Sequence, residues 1–196
     1  MLKSLSPFST LALLVALASP LAAQETEQNN DTFDLGTVVN DDGLAVGETY
    51  LREEFGDWQQ TCVVTLDGND ACQLYQLLND EDGNPVSQVS ILPLPPGGQA
   101  VAGALIVVPL ETQLTERLTV RIDGGEARRY EFDFCNIGGC VARFGLTAEQ
   151  IAQFKRGNAA SIVLVPAIAP DQQIVLQMSL TGFTAGFDAV VADFAN

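Results

Sequence analysis

The stretch ERLTVRIDGGEARRYEFDFCNIGGCVARF, residues 116–144, is apolar at every second position rather than every third or fourth. Leu118, Val120 and Ile122 alternate with Arg117, Thr119 and Arg121. Beyond a Gly-Gly turn, Tyr130, Phe132 and Phe134 alternate with Arg129, Glu131 and Asp133. Successive strand side chains point to opposite faces, so this period marks two half-buried strands, the second predicted over 128–134. Two cysteines then bracket Asn-Ile-Gly-Gly. If Ile137-Gly138 is a two-residue hairpin turn, Cys135 lies opposite Cys140 at a Cα spacing of ~4.5 Å, within a disulfide's reach.

Working outward, the same period recurs in DWQQTCVVTL, ACQLYQLL, PVSQVSIL, GALIVVP, SIVLVPAI and QQIVLQMSLTGF. Between these runs stand DGND, NDEDGNP, LPLPPGGQ, DGGE and PDQQ, whose Gly, Asn and Pro residues suit tight turns. Short strands so punctuated predict a mainly β chain, an antiparallel β-sandwich. Two helices interrupt it. In LTAEQIAQFKRG, Thr147 and Gln150 form a capping box, Leu146 staples onto Ile151, Lys155 and Arg156 complement the dipole, and Gly157 provides a left-handed stop; the helix is predicted near 147–156. A C-terminal helix is predicted from TAGFDAVVADFA, where Phe187, Val190, Val191 and Phe194 recur at helical spacing and read as core packing.

Residues 1–23 read as a signal peptide: a cation at Lys3, an apolar run from Leu11 to Ala18, and small residues at Ala22 and Ala23. That run is too short to span a bilayer, which takes ~20 residues, so no membrane span is expected after cleavage. Cleavage removes Lys3 and no acid, taking the formal charge from −16 to −17. Residues 24–49 read as a flexible acidic leader, and 50–196 as a single disulfide-stapled β domain. So acidic a chain repels nucleic acid and anionic headgroups, and neither is expected as a partner.

The cysteines fit an oxidising compartment, and the expected location is periplasmic or secreted. Four cysteines allow three connectivities; hairpin geometry favours Cys62–Cys72 and Cys135–Cys140. Zinc binding is disfavoured by spacings of nine and four intervening residues without histidine, and a thioredoxin-type site by the lack of CxxC at a helix start. With no histidine, Ser-His-Asp and Cys-His nucleophiles are excluded. NDEDGN does not align as an EF-hand loop, because Leu78 and Val89 fall on ligand positions. No catalytic, cofactor or metal residue is assigned. The competing reading is a carboxylate-pair hydrolase, or a binder, acting on an envelope polysaccharide. The basic residues concentrate between 117 and 156. Acids such as Glu116, Glu126 and Asp133 are close enough in sequence to pair with them, while Arg117, Arg121 and Arg129 are candidates for a partner-contact face.

Gly56-Asp57-Trp58 followed by Cys62 and Cys72, the Pro109 strand leading to ERLTVRIDGG, FDFCNIGGCVAR, the helix ending Lys155-Arg156-Gly157, and LQMSLTGF together resemble the invasion-associated locus B family of exported bacterial proteins. The resemblance covers about residues 50–192, and the acidic leader departs from it. It implies a β-rich periplasmic or secreted protein of Gram-negative bacteria, with members linked to host-cell invasion, and carries over no catalytic residue. The family's cysteine pairs match Cys62, Cys72, Cys135 and Cys140; Trp58 and Gly182-Phe183 match recurrent structural positions. The expected partner is an unidentified protein in the envelope or on a host cell.

Overall fold

The computed structural model describes residues 36–195. The signal peptide and the first part of the leader, residues 24–35, lie outside them. The strands are β1 (Thr49–Phe55), β2 (Trp58–Val63), β3 (Ala71–Asn79), β4 (Pro85–Pro93), β5 (Ala100–Val108), β6 (Leu118–Ile122), β7 (Ala127–Tyr130), β8 (Phe134–Asn136), β9 (Gly139–Thr147), β10 (Ala159–Leu164) and β11 (Ile174–Ser179). The helices are α1 (Ala148–Arg156), between β9 and β10, and α2 (Phe183–Phe194).

All pairings are antiparallel, in two sheets: β1-β2-β3-β4-β5-β9-β8 and β11-β10-β6-β7. The period of two separates their faces. Trp58, Leu74, Leu78, Ile91 and Ile106 of the larger sheet are buried, as are Leu118, Val120, Ile162, Leu176 and Met178 of the smaller. α1 adds Ile151 and Phe154 to this core and α2 adds Phe183, Phe187 and Val190. Each such side chain contributes roughly 1.5–3 kcal/mol by leaving water. Polar ties also cross between the sheets. The Trp58 indole N–H donates to the Ser179 carbonyl at 2.9 Å, and the buried Gln76 amide exchanges bonds of 3.0 and 2.9 Å with the Ser179 backbone.

Three local expectations change. RRYEFDF is two strands in different sheets: the chain leaves β7 at Tyr130, crosses, and enters β8 at Phe134. The apolar spacing runs on unbroken in sequence and conceals the corner: Tyr130 and Phe132 pack against the core, while Phe134, expected on the same side, is 46% exposed on the outer face of the larger sheet. Gly157 is extended, at φ −76° and ψ 164°, and does not stop α1 in a left-handed turn. Its role is close approach, since a Cβ there would lie 2.7 Å from Leu180 Cδ1 and 2.8 Å from Ile122 Cγ2. In α2 the expected stripe is half right: Phe187 and Val190 are buried, while Val191 and Phe194 are 39% and 52% exposed. The Thr147–Gln150 capping box is present as expected.

Within the stretch read as leader, Val39 bridges Ala45, and Gly47 and Glu48 bond the Val64 backbone just ahead of β1. The disulfides join Cys62 to Cys72 and Cys135 to Cys140. Each closes one hairpin between directly opposed positions, the first across a β2–β3 loop and the second around Ile137-Gly138.

Candidate functional site

The β6–β7 hairpin sends its side chains two ways. Its inner face carries Val120, Ile122, Arg128 and Tyr130, and its outer face carries Thr119, Arg121, Ala127 and Arg129. On the inner side, where β7 and β9 diverge under α1, a groove of about 360 Å³ opens. Val120, Ile122, Tyr130, Phe144, Leu146 and Phe154 supply its apolar lining, and Asp123, Glu126, Arg128 and Arg156 its charges. Tyr130 and Phe144 stack with ring centroids 3.6 Å apart and planes 10° from parallel.

The helix cap supports this floor. Gln150 uses its Oε1 to accept the Thr147 N–H at 2.9 Å and its Nε2 to donate to the Tyr130 hydroxyl at 3.1 Å. Burial pushes the Tyr130 phenol above its usual range, against smaller opposing effects of Gln150 and Arg128. The groove acids are engaged. Both Asp123 carboxylate oxygens accept the Asn158 N–H and one also accepts that of Ala159, at 3.0–3.1 Å, which ties the end of β6 to the start of β10. Glu126 lies 3.7 Å from Arg128. A glycoside-cleaving pair instead requires two free carboxyls facing each other across a cleft, one of them held protonated. Among the described residues, the carboxyls whose protonation the surroundings shift, Asp67, Asp70 and Asp80, all lie elsewhere, and hydrogen bonds hold each below the usual range.

The expected arginine trio is divided. Arg121 and Arg129 are diagonal neighbours on the exposed outer face of the smaller sheet, since Arg121 pairs with Ala127 and Thr119 with Arg129. No acid among the described residues lies within ion-pair distance of either. Beside them are Ser161, Val163 and Val175, the last 50% exposed. Arg117 is drawn away: it precedes β6 with φ 60° and pairs with Glu131 at 3.1 Å. Pairing with neighbouring acids holds for Arg128 with Glu126 and for Arg143 with Asp133.

The sequence reading missed the groove. Its usable signals were Tyr130 and Phe144, aromatic positions on strands next to the helix cap; Arg156 was read only as a dipole partner. Among the described residues, no three His, Cys, Asp or Glu side chains form a metal-ligand set, and no helix is long and apolar enough to cross a membrane.

With this geometry in hand, comparison places the chain among known proteins. The family model described as invasion associated locus B protein matches residues 58–191. An invasion protein B homologue of Brucella abortus strain 2308 is 26% identical over 149 residues, covering 76% of this chain and 84% of that protein, and the homologue from biovar 1 strain 9-941 matches equally. The crystal structure of invasion associated protein b from Bartonella henselae superposes with a TM-score of 0.63 at 19% identity, over 73% of this chain and 96% of the other.

Proposed function

Because this chain belongs to the invasion associated locus B family, we propose that it is an exported, non-catalytic binding protein that engages a protein partner through the β6–β7 hairpin. One observation carries the reading. In a chain of formal charge −16, Arg121 and Arg129 stand side by side on an exposed sheet face with no acid among the described residues to neutralise them. Arginine's planar five-donor head suits acidic partner surfaces. The groove behind the same hairpin offers an apolar floor to a partner side chain, with Arg128 and Arg156 at its rim. Two disulfides support export to an oxidising compartment, periplasmic or secreted. The relatives named as invasion proteins support a role at the host interface. The polysaccharide-hydrolase alternative is disfavoured by the engagement of Asp123 and Glu126.

The test is cross-linking in living cells followed by mass spectrometry, comparing the unaltered chain with charge-reversed variants. Arg121→Glu with Arg129→Glu is expected to cut recovery of a specific protein partner at least about tenfold, in line with lost interfacial charge pairs. Arg117→Glu should do less, because Glu131 already holds Arg117. Undiminished recovery with the double variant would sink the proposal.

A further inference from the structure

The outer face of the seven-stranded sheet has a charge pattern unlike the rest of the molecule. Pairing register fixes which side chains point outward. Opposite the buried Trp58, Leu74, Val89, Ile106 and Ala142 rows lie Thr61, Gln73 and Leu92 in one line, Tyr75, Ser90, Leu105 and Arg143 in a second, and Leu77, Gln88, Val107, Val141 and Phe134 in a third. Across β2, β3, β4, β5, β9 and β8 no outward position is Asp or Glu, although the chain has 25 acids; the outward acid of this sheet, Glu54, stands at the β1 edge opposite Gln59. The one charge on those six strands, Arg143, is neutralised by Asp133 at 2.6 Å, and its guanidinium lies 5.8 Å from the Phe134 ring centre. Both helices and the smaller sheet pack on the opposite side of the sheet, and of these outward residues only Ser90 and Val141 are buried, at 7% and 5% exposure.

We propose that this face is the contact surface for a second copy of the chain. Charge selects that occupant. Two like molecules of formal charge −16 repel wherever their carboxylates meet, and this broad face is where they can touch while keeping their acids in solvent. Area permits it: these six strands span five interstrand spacings of ~4.8 Å, which by about six residues of ~3.3 Å give roughly 480 Å² in plan. Side-chain relief raises that toward the ~800 Å² per partner of a standard interface. Leu77 and Phe134, 48% and 46% exposed, supply apolar contacts on this face, and an isologous two-fold contact would set the same patch of each copy against the other. The Arg121–Arg129 face, on the opposite side of the sandwich, stays open in both copies.

Sedimentation velocity of the purified full chain over a concentration series tests this. The expected result is a reversible dimer that tightens as salt is added, because salt screens the like-charge repulsion and removes no favourable ion pairs. Gln73→Glu with Gln88→Glu, near-isosteric changes on this face, should weaken the dimer at least about tenfold while near-ultraviolet circular dichroism stays unchanged, since they set like charges across the contact. Arg121→Glu should leave it intact. A chain that stays monomeric at its solubility limit overturns the proposal. So does a dimer that loosens with salt, or one broken by Arg121→Glu and indifferent to the glutamine changes. Failure here leaves the partner-binding reading standing, because that reading uses the other sheet.

Discussion

At the scale of single residues, two glycines show how closely the backbone is fitted. Gly56, in the β1–β2 turn, and Gly182, before α2, both have positive φ, 60° and 86°, and they meet back to back. A Cβ on Gly182 would fall 1.9 Å from the Phe55 carbonyl oxygen and 2.4 Å from its carbon, neither of which a rotamer change can move. Gly182→Ala is therefore expected to cost at least about 3 kcal/mol in urea unfolding, combining strain with a backbone clash. Gly83→Ala is the internal control. At φ 85° but with nothing within 4 Å, it should cost only the conformational penalty of about 1–2 kcal/mol. Equal losses at the two sites would show that φ alone matters and that the contact does not.

At the scale of elements, the cap of α1 is also a support for the groove. Thr147→Ala removes the hydroxyl that accepts the Gln150 N–H and should cost about 1 kcal/mol by denaturant midpoint with an unchanged slope. The cap of this element was legible in sequence because it resides in a few consecutive residues, Thr147 to Gln150, whereas the role of Gly157 depends on Leu180 and Ile122 from elsewhere in the chain. The hairpin at Cys135–Cys140 was legible for the same reason. The corner at residues 131–133 was not, because the apolar spacing of Tyr130, Phe132 and Phe134 is unbroken while both the pairing partner and the face presented by Phe134 change. Nor was the groove. It assembles β6, β7, β9 and α1, and no local pattern states that Tyr130 will stack on Phe144. That Arg117 stands apart from Arg121 and Arg129 was hidden for a third reason: it shares the parity of Arg121, but its positive φ and Glu131 redirect it.

At the scale of the whole molecule, acidity and stability are linked through a few loop carboxylates. Asp70 is held below the usual carboxylate range first by the Thr65 backbone N–H and then by the Tyr50 hydroxyl, at 2.9 and 2.7 Å. A carboxyl whose folded value is depressed contributes stability above its unfolded value of about 3.9, and loses that contribution as pH falls through the folded value. The stability advantage of the unaltered chain over Asp70→Asn should accordingly be constant above about pH 5 and shrink below about pH 4. Thermal unfolding of both across that range checks it; a gap that widens in acid would refute the assignment. The two disulfides have a different global meaning. Their sequence separations are only 10 and 5 residues, and neither bridges the two sheets. A chain emerging N-terminus first presents Cys72 to Cys62 long before Cys135 appears, and Cys140 follows Cys135 within one hairpin. Each thiol thus meets its native partner before any competitor, so oxidation can proceed in step with chain emergence, with no wrong bond to be undone by an isomerase.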